Sequence, residues 1–165
     1  MTGITERKWA QAESNSDFIC VETYSGYRSS ALDPEGKQHL LAPDASDELL
    51  GLAVQDSLSH SRFLPVEAVP AFFGYRAVAH RYVEWVKALM ERYGYKTKRA
   101  LFKNMKTCGI ECCSGVITIR PTNHEKLEGW SGEGISKDDF VIVPEDNPPA
   151  VIGAALRLAF SRCIG

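Results

Sequence analysis

The sequence predicts an α+β fold, in which helices pack on one face of a mostly antiparallel sheet within a single domain. Its segments run in the order strands, helices, strands and a closing helix, which is typical of that class. Turn sequences separate consecutive β-forming segments, which favours antiparallel neighbours. The chain has 165 residues, of which 44% are hydrophobic and 24% are charged. This length and this composition are those of one globular domain.

Six segments are rich in β-branched, aromatic and other apolar residues and are predicted as strands. They span residues 18–24, 27–32, 38–42, 107–113, 116–120 and 140–143. The sequence Asp33-Pro34-Glu35-Gly36 predicts a turn, because proline presets one φ angle and glycine accepts a positive one. We expect the first three strands to form a meander, and Ser114-Gly115 predicts a hairpin between the fourth and the fifth.

Four segments are predicted as helices from the spacing of their apolar residues or from their composition. They span residues 44–61, 75–93, 97–105 and 150–163. Asp44 or Ser46 can cap the first helix, and Gly94 is suited to end the second. Residues 1–15 are polar and show no clear period, so we interpret them as a loose N-terminal arm ahead of a single domain that spans 16–165.

The first and the last predicted helix share a sequence pattern. Residues 49–59 align, 102 positions further on, with residues 151–161. Gly51 and Gly153 occupy equivalent first-turn positions, where a missing side chain would allow close packing on a sheet. Two amphipathic helices could have converged by chance, or the pair could reflect a duplication or a pseudo-symmetric arrangement.

The composition argues against a membrane protein and against a secreted one. No apolar run reaches the roughly 18 residues that a membrane helix needs. The N-terminus carries charges where a signal peptide would be apolar. The five cysteines are odd in number, which makes a disulfide framework improbable. We therefore expect a cytoplasmic protein that does not bind a membrane.

The sequence contains no recognisable catalytic, metal-binding or cofactor-binding motif. Its serines lack a GxSxG elbow, its histidines lie outside HExxH, and its glycines form neither GxGxxG nor a P-loop. Cys112 and Cys113 are adjacent on a predicted strand and point to opposite faces. We therefore predict that the chain is not an enzyme and has no catalytic residue, no metal and no cofactor. An acid–base pair formed by Glu125 and Glu128 is the alternative.

Charge is distributed unevenly along the chain. Residues 33–56 carry six acidic side chains against one lysine, and residues 123–147 carry seven against two. Residues 62–120 carry eleven basic side chains against four acidic ones. Acidic and basic faces of this kind steer association with a charged partner. The basic segment 96–106 follows Tyr95 and contains Phe102. It also suits an alternative function as a nucleic-acid-binding or regulatory adaptor.

The segment 121–134 combines three carboxylates with one large aromatic residue. Glu125, Glu128 and Glu133 surround Trp130, and glycines flank the tryptophan. A loop of this composition suits recognition of a basic protein surface. Alternatively, Trp130 folds back onto the core.

Several phrases of the sequence resemble the immunity proteins of bacterial contact-dependent growth inhibition systems (CdiI-type). They are DASDELLG at 44–51, which continues through SRFL at 61–64, YGYKTKRALFKNM at 93–105, HEKLEGW at 124–130 and IGAALRLAFSR at 152–162. The resemblance extends from about Tyr24 to Cys163 and leaves out the N-terminal arm.

The resemblance implies a cytoplasmic protein that binds the C-terminal toxin domain delivered by a sibling cell, as a heterodimer, without direct nucleic-acid binding. It further implies a toxin that is a nuclease, often one acting on tRNA, whose active site or an adjacent surface is covered. A nuclease cleft is basic, so acidic residues and an aromatic anchor are the expected contacts. The candidate toxin-binding residues are Glu125, Glu128, Trp130, Glu133, Asp138, Asp139, Asp33 and Glu35.

Overall fold

A computed structural model describes residues 5–165 of the chain. The strands of this part are β1 (Arg7–Ser14), β2 (Ile19–Gly26), β3 (Ser30–Leu32), β4 (Gln38–Leu41), β5 (Lys106–Cys113), β6 (Val116–Pro121), β7 (Asn123–Lys126), β8 (Gly129–Ser131) and β9 (Val141–Pro144). The α-helices are α1 (Asp47–Ser59), α2 (Val69–Phe72), α3 (Tyr75–Tyr93), α4 (Lys98–Phe102) and α5 (Pro149–Ser161). Two short 3₁₀ helices span Val66–Ala68 and Lys137–Asp139.

Seven strands form one sheet in which every neighbouring pair is antiparallel. The order across the sheet is β3-β2-β1-β5-β6-β9, and β4 also pairs with β2. β7 and β8 form a separate two-stranded hairpin. The predicted α+β class with a mostly antiparallel sheet is confirmed, as is the hairpin of β5 and β6.

The prediction that residues 1–15 form a loose arm is wrong for the residues that the structure describes. β1 lies in the middle of the sheet and pairs over its length with β5 and over most of it with β2. Ala10 and Ala12 are buried on one face of this strand, and Glu13 is buried on the other. The period-2 alternation of a strand is present at residues 10–13, but its apolar positions are only two small alanines, which give a weak signal. Residues 1–4 lie outside the described part.

The predicted meander of three strands is replaced by a single interrupted edge strand. β3 pairs with the last part of β2, and β4 pairs with its first part. The Asp33–Gly36 turn forms the interruption, and Thr23 bridges it because its carbonyl accepts from Asp33 N and its amide donates to Lys37 O. Gly36 is required there, since an added Cβ would lie 2.3 Å from the Thr23 side chain.

One face of the sheet is covered by α1 and α5. Their buried residues, among them Leu50, Val54 and Leu156, pack on Ala12 and Ile119 of the sheet in the larger hydrophobic core. α1 begins at the predicted cap, because the Ser46 hydroxyl accepts a hydrogen bond from Leu49 N at 3.1 Å.

The opposite face of the sheet is covered only in part, by α3 and α4. Val86 and Leu89 of α3 and Phe102 of α4 pack on Phe18 and Cys20 in a second, smaller core. Helices therefore lie on both faces of the sheet rather than on one. α3 ends where predicted, at Gly94 in the left-handed conformation with φ +72°. None of the helices in residues 5–165 is long and apolar enough to cross a membrane.

Candidate functional site

A cavity of about 520 Å³ opens where the second face of the sheet is left uncovered. Its floor is formed by side chains of β1 and β2, one wall by α3, and the other wall by the β7–β8 hairpin. A smaller depression of about 300 Å³ continues along the same face past Gly109, where a Cβ atom would meet nothing within 4 Å. This uncovered face is the candidate site, and we refer to its deep part as the carboxyl cavity.

The floor of the carboxyl cavity holds two buried carboxyl groups and a buried thiol. Glu13 and Glu22 are 2% and 1% exposed, and Cys20 is fully buried. The ligand atoms of these three side chains lie within 4.8 Å of one another. Glu22 Oε2 accepts hydrogen bonds from Trp85 Nε1 at 2.8 Å and from Cys20 Sγ at 3.0 Å. The three are therefore placed to share protons or to receive one positive charge.

Burial raises the pKa of Glu13 well above its usual range, and the neighbouring Glu22 carboxylate raises it further. The pKa of Glu22 is also raised by burial, although hydrogen bonds from Cys20 and Trp85 to its carboxylate partly offset this effect. Burial likewise raises the pKa of the Cys20 thiol. Cys20 therefore remains a thiol and donates a hydrogen bond to Glu22.

Aromatic side chains line the walls above these carboxyl groups. Trp85 stacks near Tyr82 on one side and near Phe102 on the other, with ring centroids 6.2 Å and 6.3 Å away. Trp130 lies 5.7 Å from Phe102 on the hairpin side. The cavity therefore combines apolar, π-rich walls with an acidic floor.

Contacts between α3, α4 and the hairpin bridge part of the rim of the cavity. The Tyr82 hydroxyl donates to Glu128 Oε1 at 2.5 Å, and Lys98 Nζ lies 3.6 Å from the same oxygen. Burial and the Glu128 carboxylate both raise the pKa of the Tyr82 hydroxyl, which therefore remains a donor. Glu128 thus links α3, α4 and the hairpin.

Trp130 is part of the cavity wall and not a free anchor. Its indole N–H donates to Met105 O at 3.0 Å, and its ring stacks on His124 with centroids 4.4 Å apart. The position of Trp130 agrees with the alternative prediction, in which this tryptophan folds back onto the core. Its remaining exposed surface faces the cavity.

The acidic residues of the segment 121–134 lie on the β7–β8 hairpin or just after it. Glu125 and Glu133 are exposed, and the Ser131 hydroxyl donates to the Glu125 carboxylate. Glu128 occupies the rim. Glu125, Glu128 and Trp130 therefore lie on one two-stranded element, and Glu133 follows it two residues after β8.

Asp138 and Asp139 lie in the second 3₁₀ helix, which follows the hairpin in the chain. Asp138 is exposed. The Asp139 carboxylate accepts from Ser136 N at 2.9 Å and completes a capping box at the start of that helix. Asp139 is therefore committed to local structure, while Asp138 remains available to a partner.

Asp33 and Glu35 lie in the turn between β3 and β4, away from the hairpin in the chain and bound to Arg62. Asp33 is buried and accepts from Arg62 Nε and Nη2 at 2.7 Å and 2.8 Å. Glu35 is exposed and lies 3.3 Å from the same guanidinium group. Asp33 stabilises the turn, whereas Glu35 remains accessible.

The basic segment 96–106 forms α4 and its flanks. Leu101 and Phe102 are buried, so only the outer side of this short helix presents its charges. Lys98 is paired with Glu128 of the hairpin. The alternative function in nucleic-acid binding remains a prediction.

The carboxyl cavity is the feature that sequence reasoning missed. Gln11 and Glu13 alternate on β1, as Cys20 and Glu22 do on β2, and the antiparallel register brings both pairs to one face. The available signal was the charged residue inside the β-forming segment 18–24. A charged residue at such a position must be paired, protonated or functional.

The fold and this site define a small binding protein that presents a partly uncovered sheet face. The profile of the CdiI family, described as CDI immunity protein, matches residues 8–163. The chain belongs to this family of immunity proteins.

Two solved structures and one characterised relative are similar to the chain over almost all of its length. Immunity protein CdiI-YPIII of Yersinia pseudotuberculosis serotype O:3 (strain YPIII) is 53% identical, with both chains covered completely. The chain matches a structure described as the CdiA-CT/CdiI toxin and immunity complex from Yersinia pseudotuberculosis with a TM-score of 0.91 and 53% identity, covering 97% of this chain and 99% of that one. It also matches a protein of unknown function, NMB0488 from Neisseria meningitidis, with a TM-score of 0.90 and 37% identity, covering 99% of each.

Proposed function

We propose that this chain binds the C-terminal toxin domain of its cognate contact-dependent growth inhibition system and neutralises it in the cytoplasm. One observation carries the proposal: 97% of the chain superposes, at a TM-score of 0.91, on 99% of a chain from a toxin and immunity complex. The partner is the cognate toxin domain, and the two proteins form a heterodimer.

The toxin in this proposal is a nuclease, and a tRNA-cleaving enzyme is the preferred class. A nuclease attracts phosphate with basic side chains, so its inhibitor gains speed and selectivity from an acidic surface. Glu125, Glu133 and Asp138 are exposed carboxylates on or just after the hairpin. They support binding across or beside such a cleft.

The toxin-binding surface in this proposal is the uncovered sheet face with its two walls. α3 leaves Tyr75 87% exposed and Val83 58% exposed beside the cavity wall, which is more apolar surface than a solvated helix needs. Exposed aromatic and aliphatic residues next to an acidic hairpin match the apolar centre and polar rim of protein interfaces.

In this proposal the chain inhibits the toxin by binding to it and catalyses no reaction itself. The carboxyl groups that are placed as a pair are Glu13 and Glu22, which are buried beneath aromatic walls. The exposed Glu125 and Glu128, the alternative acid–base pair, are bound to Ser131 and to Tyr82 and Lys98.

Co-expression with the toxin domain encoded beside the chain tests the proposal. Cells that produce the toxin should survive with this chain and die without it, and the two purified proteins should form a heterodimer by analytical ultracentrifugation. The same protein should not retard tRNA in a gel at low salt. Survival without complex formation, or tRNA binding with no effect on the toxin, would contradict the proposal.

Charge reversal tests the acidic hairpin within this surface. Changing Glu125→Lys and Glu133→Lys together should weaken toxin binding by about tenfold at low salt and less at high salt, because exposed charges are screened. Glu48→Lys is the matched control, since Glu48 is exposed in the first turn of α1 on the other side of the sheet. Equal losses for the hairpin pair and the control would remove the hairpin from the interface.

A further inference from the structure

Two of the five cysteines lie side by side on the face of the sheet that α1 and α5 cover. Cys108 of β5 is fully buried in the larger hydrophobic core, and Cys163, which follows α5, is half-buried and packs against that core. Both are free thiols, and their Sγ atoms lie 3.7 Å apart, although the residues are 55 positions apart in the sequence. The fold therefore brings two thiols into contact on the side of the sheet opposite the carboxyl cavity.

The two sulfur atoms are close enough to form a disulfide bond after a small local movement. Such a bond needs about 2.05 Å between its sulfurs, so the Sγ atoms must approach each other by less than about 2 Å. Pairing of β5 with β1 and β6 holds Cys108 within the sheet. Cys163 lies beyond the Arg162 cap of α5, outside the packed turns of that helix, so it is the side chain that can rotate to make the bond.

The surroundings of this pair differ from those of the other buried thiols. The thiols of Cys20 and Cys112 each donate to a glutamate carboxylate, at 3.0 Å and 3.2 Å. A carboxylate beside a thiol disfavours the thiolate, which is the form that reacts with an oxidant. Cys163 contacts the Cys108 thiol instead.

Cys163 is the member of the pair that reacts first with an oxidant. A hydrogen bond from Cys108, helped by the positive charge of Lys106, outweighs burial and lowers the pKa of Cys163 to about 7. Burial raises the pKa of Cys108 well above the usual range of a thiol. Cys163 also has surface that a small molecule can reach, whereas Cys108 has none. Cys163 is therefore the attacking thiol, and Cys108 is placed to react with its product.

We propose that Cys108 and Cys163 form a reversible intramolecular disulfide bond when the protein meets hydrogen peroxide or a related peroxide. The Cys163 thiolate attacks one peroxide oxygen, the O–O bond breaks, and the hydroxide that leaves takes up a proton to give water. Cys163 is then a sulfenic acid. The Cys108 sulfur loses its proton and attacks the sulfenic sulfur, whose S–O bond breaks, and the oxygen leaves as a second water. The two sulfurs lose two electrons, which reduce the peroxide, and exchange with a dithiol reverses the bond.

The bond fixes the end of the chain against the hairpin that forms one wall of the candidate site. Ile164 N donates to Thr122 O at 3.1 Å, and His124 N donates to Ile164 O at 2.8 Å. The residue after Cys163 thus forms a parallel bridge with the start of β7. Linking Cys163 to β5 removes conformations in which this terminal segment detaches. Oxidation therefore holds β7 more firmly to the sheet.

Peptide analysis of the full chain, oxidised while folded, tests the inference. A limiting amount of hydrogen peroxide should remove about 2 Da, the mass of two hydrogens, from a peptide pair joined through Cys108 and Cys163. Cys163→Ser should not form this bond. Cys113→Ser is the matched control, because Cys113 is also half-buried but its Sγ lies 3.7 Å from the Ser114 hydroxyl rather than from a thiol. It should form the bond as the wild type does.

The wild-type chain supplies a second measurement that does not depend on the folding of a variant. Oxidation should raise the midpoint of thermal unfolding by about 5 °C or more, because the bond closes a long loop of the unfolded chain. Hydrogen–deuterium exchange should slow in the C-terminal segment and in β7 and stay unchanged in α3. A thiol reductant should reverse both effects.

Several results would overturn the inference. One is a sulfenic acid at Cys163 that dimedone traps while Cys108 remains a free thiol. Others are a bond from Cys163 to a different cysteine, and two intact thiols under conditions that oxidise Cys113. Unchanged unfolding and exchange in a chain that carries the bond would contradict its effect on β7. The toxin takes no part in these measurements, so the inference goes beyond the proposed function and is tested independently of it.

Discussion

Gly51 of α1 and Gly153 of α5 each lie against the first residue of the other helix. A Cβ added at Gly51 would lie 1.7 Å from Pro149 O, and one added at Gly153 would lie 1.8 Å from Asp47 O. The contact is reciprocal, so the two helices form a pseudo-symmetric pair on the sheet. The glycines were expected to allow packing on the sheet, but they allow the helices to approach each other.

Gly51→Ala should destabilise the protein by about 2–3 kcal/mol, because the methyl group must displace backbone atoms of α5. Urea-induced unfolding followed by circular dichroism measures the change. Gly109→Ala is the matched control, since a Cβ at Gly109 meets nothing within 4 Å. Equal unfolding midpoints for the two variants would show that the helices can separate without cost.

Asp33→Asn should destabilise the protein by about 2 kcal/mol at neutral pH, since it weakens two charge-assisted hydrogen bonds from the half-exposed Arg62 to a buried carboxylate. Glu35→Gln removes an exposed carboxylate from the same guanidinium group and should cost less than about 1 kcal/mol. Equilibrium unfolding of both variants tests the contrast. A larger loss for Glu35→Gln would contradict the assignment of Asp33 as the structural partner.

The same ion pair predicts how stability depends on acid. Burial would raise the pKa of Asp33, but hydrogen bonds from Arg62 and Ser25 outweigh burial and hold its pKa below the usual range. The stabilisation that comes with this lowered pKa is complete above the unfolded-state pKa of about 4. It is lost as the pH falls through the folded-state value. The stability of the wild type should therefore fall below about pH 4 more steeply than that of Asp33→Asn.

Glu13→Gln should make the free protein more stable at pH 8. The pKa of Glu13 is raised by burial and by Glu22, so its contribution to stability is full below the unfolded-state pKa and is lost as the pH rises through the folded-state value. Thermal unfolding between about pH 4 and pH 9 should show a gap that widens in favour of the variant as the pH rises. A gap that is constant with pH would contradict the raised pKa.

Cys163 should be the most readily ionised of the thiols with a shifted pKa. A hydrogen bond from Cys108, whose Sγ lies 3.7 Å away, outweighs burial and lowers the pKa of Cys163 to about 7. Its alkylation by iodoacetamide, followed peptide by peptide in a mass spectrometer, should rise with a midpoint near pH 7. Cys112, whose pKa burial raises to about 12, is the internal control. A midpoint for Cys163 near that of an ordinary thiol would rule out the hydrogen bond from Cys108.

Local signals in the sequence were sufficient where one residue determines the backbone. Ser46 caps α1 and Gly94 ends α3 because each acts through its own side chain or its own φ angle. The recurrence of residues 49–59 at 151–161 correctly marked two helices with matching faces. The contact between α1 and α5 depends on how the folded chain places them, and a sequence pattern contains no distance between two helices.

Prediction from the sequence failed for β1, the strand that contributes polar residues to the candidate site. Gln11 and Glu13 place polar groups on the cavity side of β1, opposite Ala10 and Ala12, so a central strand resembled a polar arm. The same two residues contribute to the floor of the carboxyl cavity. The acidic hairpin could be proposed as a candidate because its composition is unusual in itself. The role of Asp33 depends on Arg62, which is distant in the sequence. Asp139 is held by Ser136 three residues before it, a capping signal that the sequence contains.

Hydrogen–deuterium exchange of the wild-type chain, free and saturated with its toxin domain, tests most directly whether the uncovered sheet face binds the toxin. Exchange should slow in the β7–β8 hairpin and in the part of α3 around Tyr82 and Trp85, which form the two walls of the cavity. It should stay unchanged in α1 and α5, which cover the other face of the sheet. Slowed exchange confined to α1 and α5 would contradict the account.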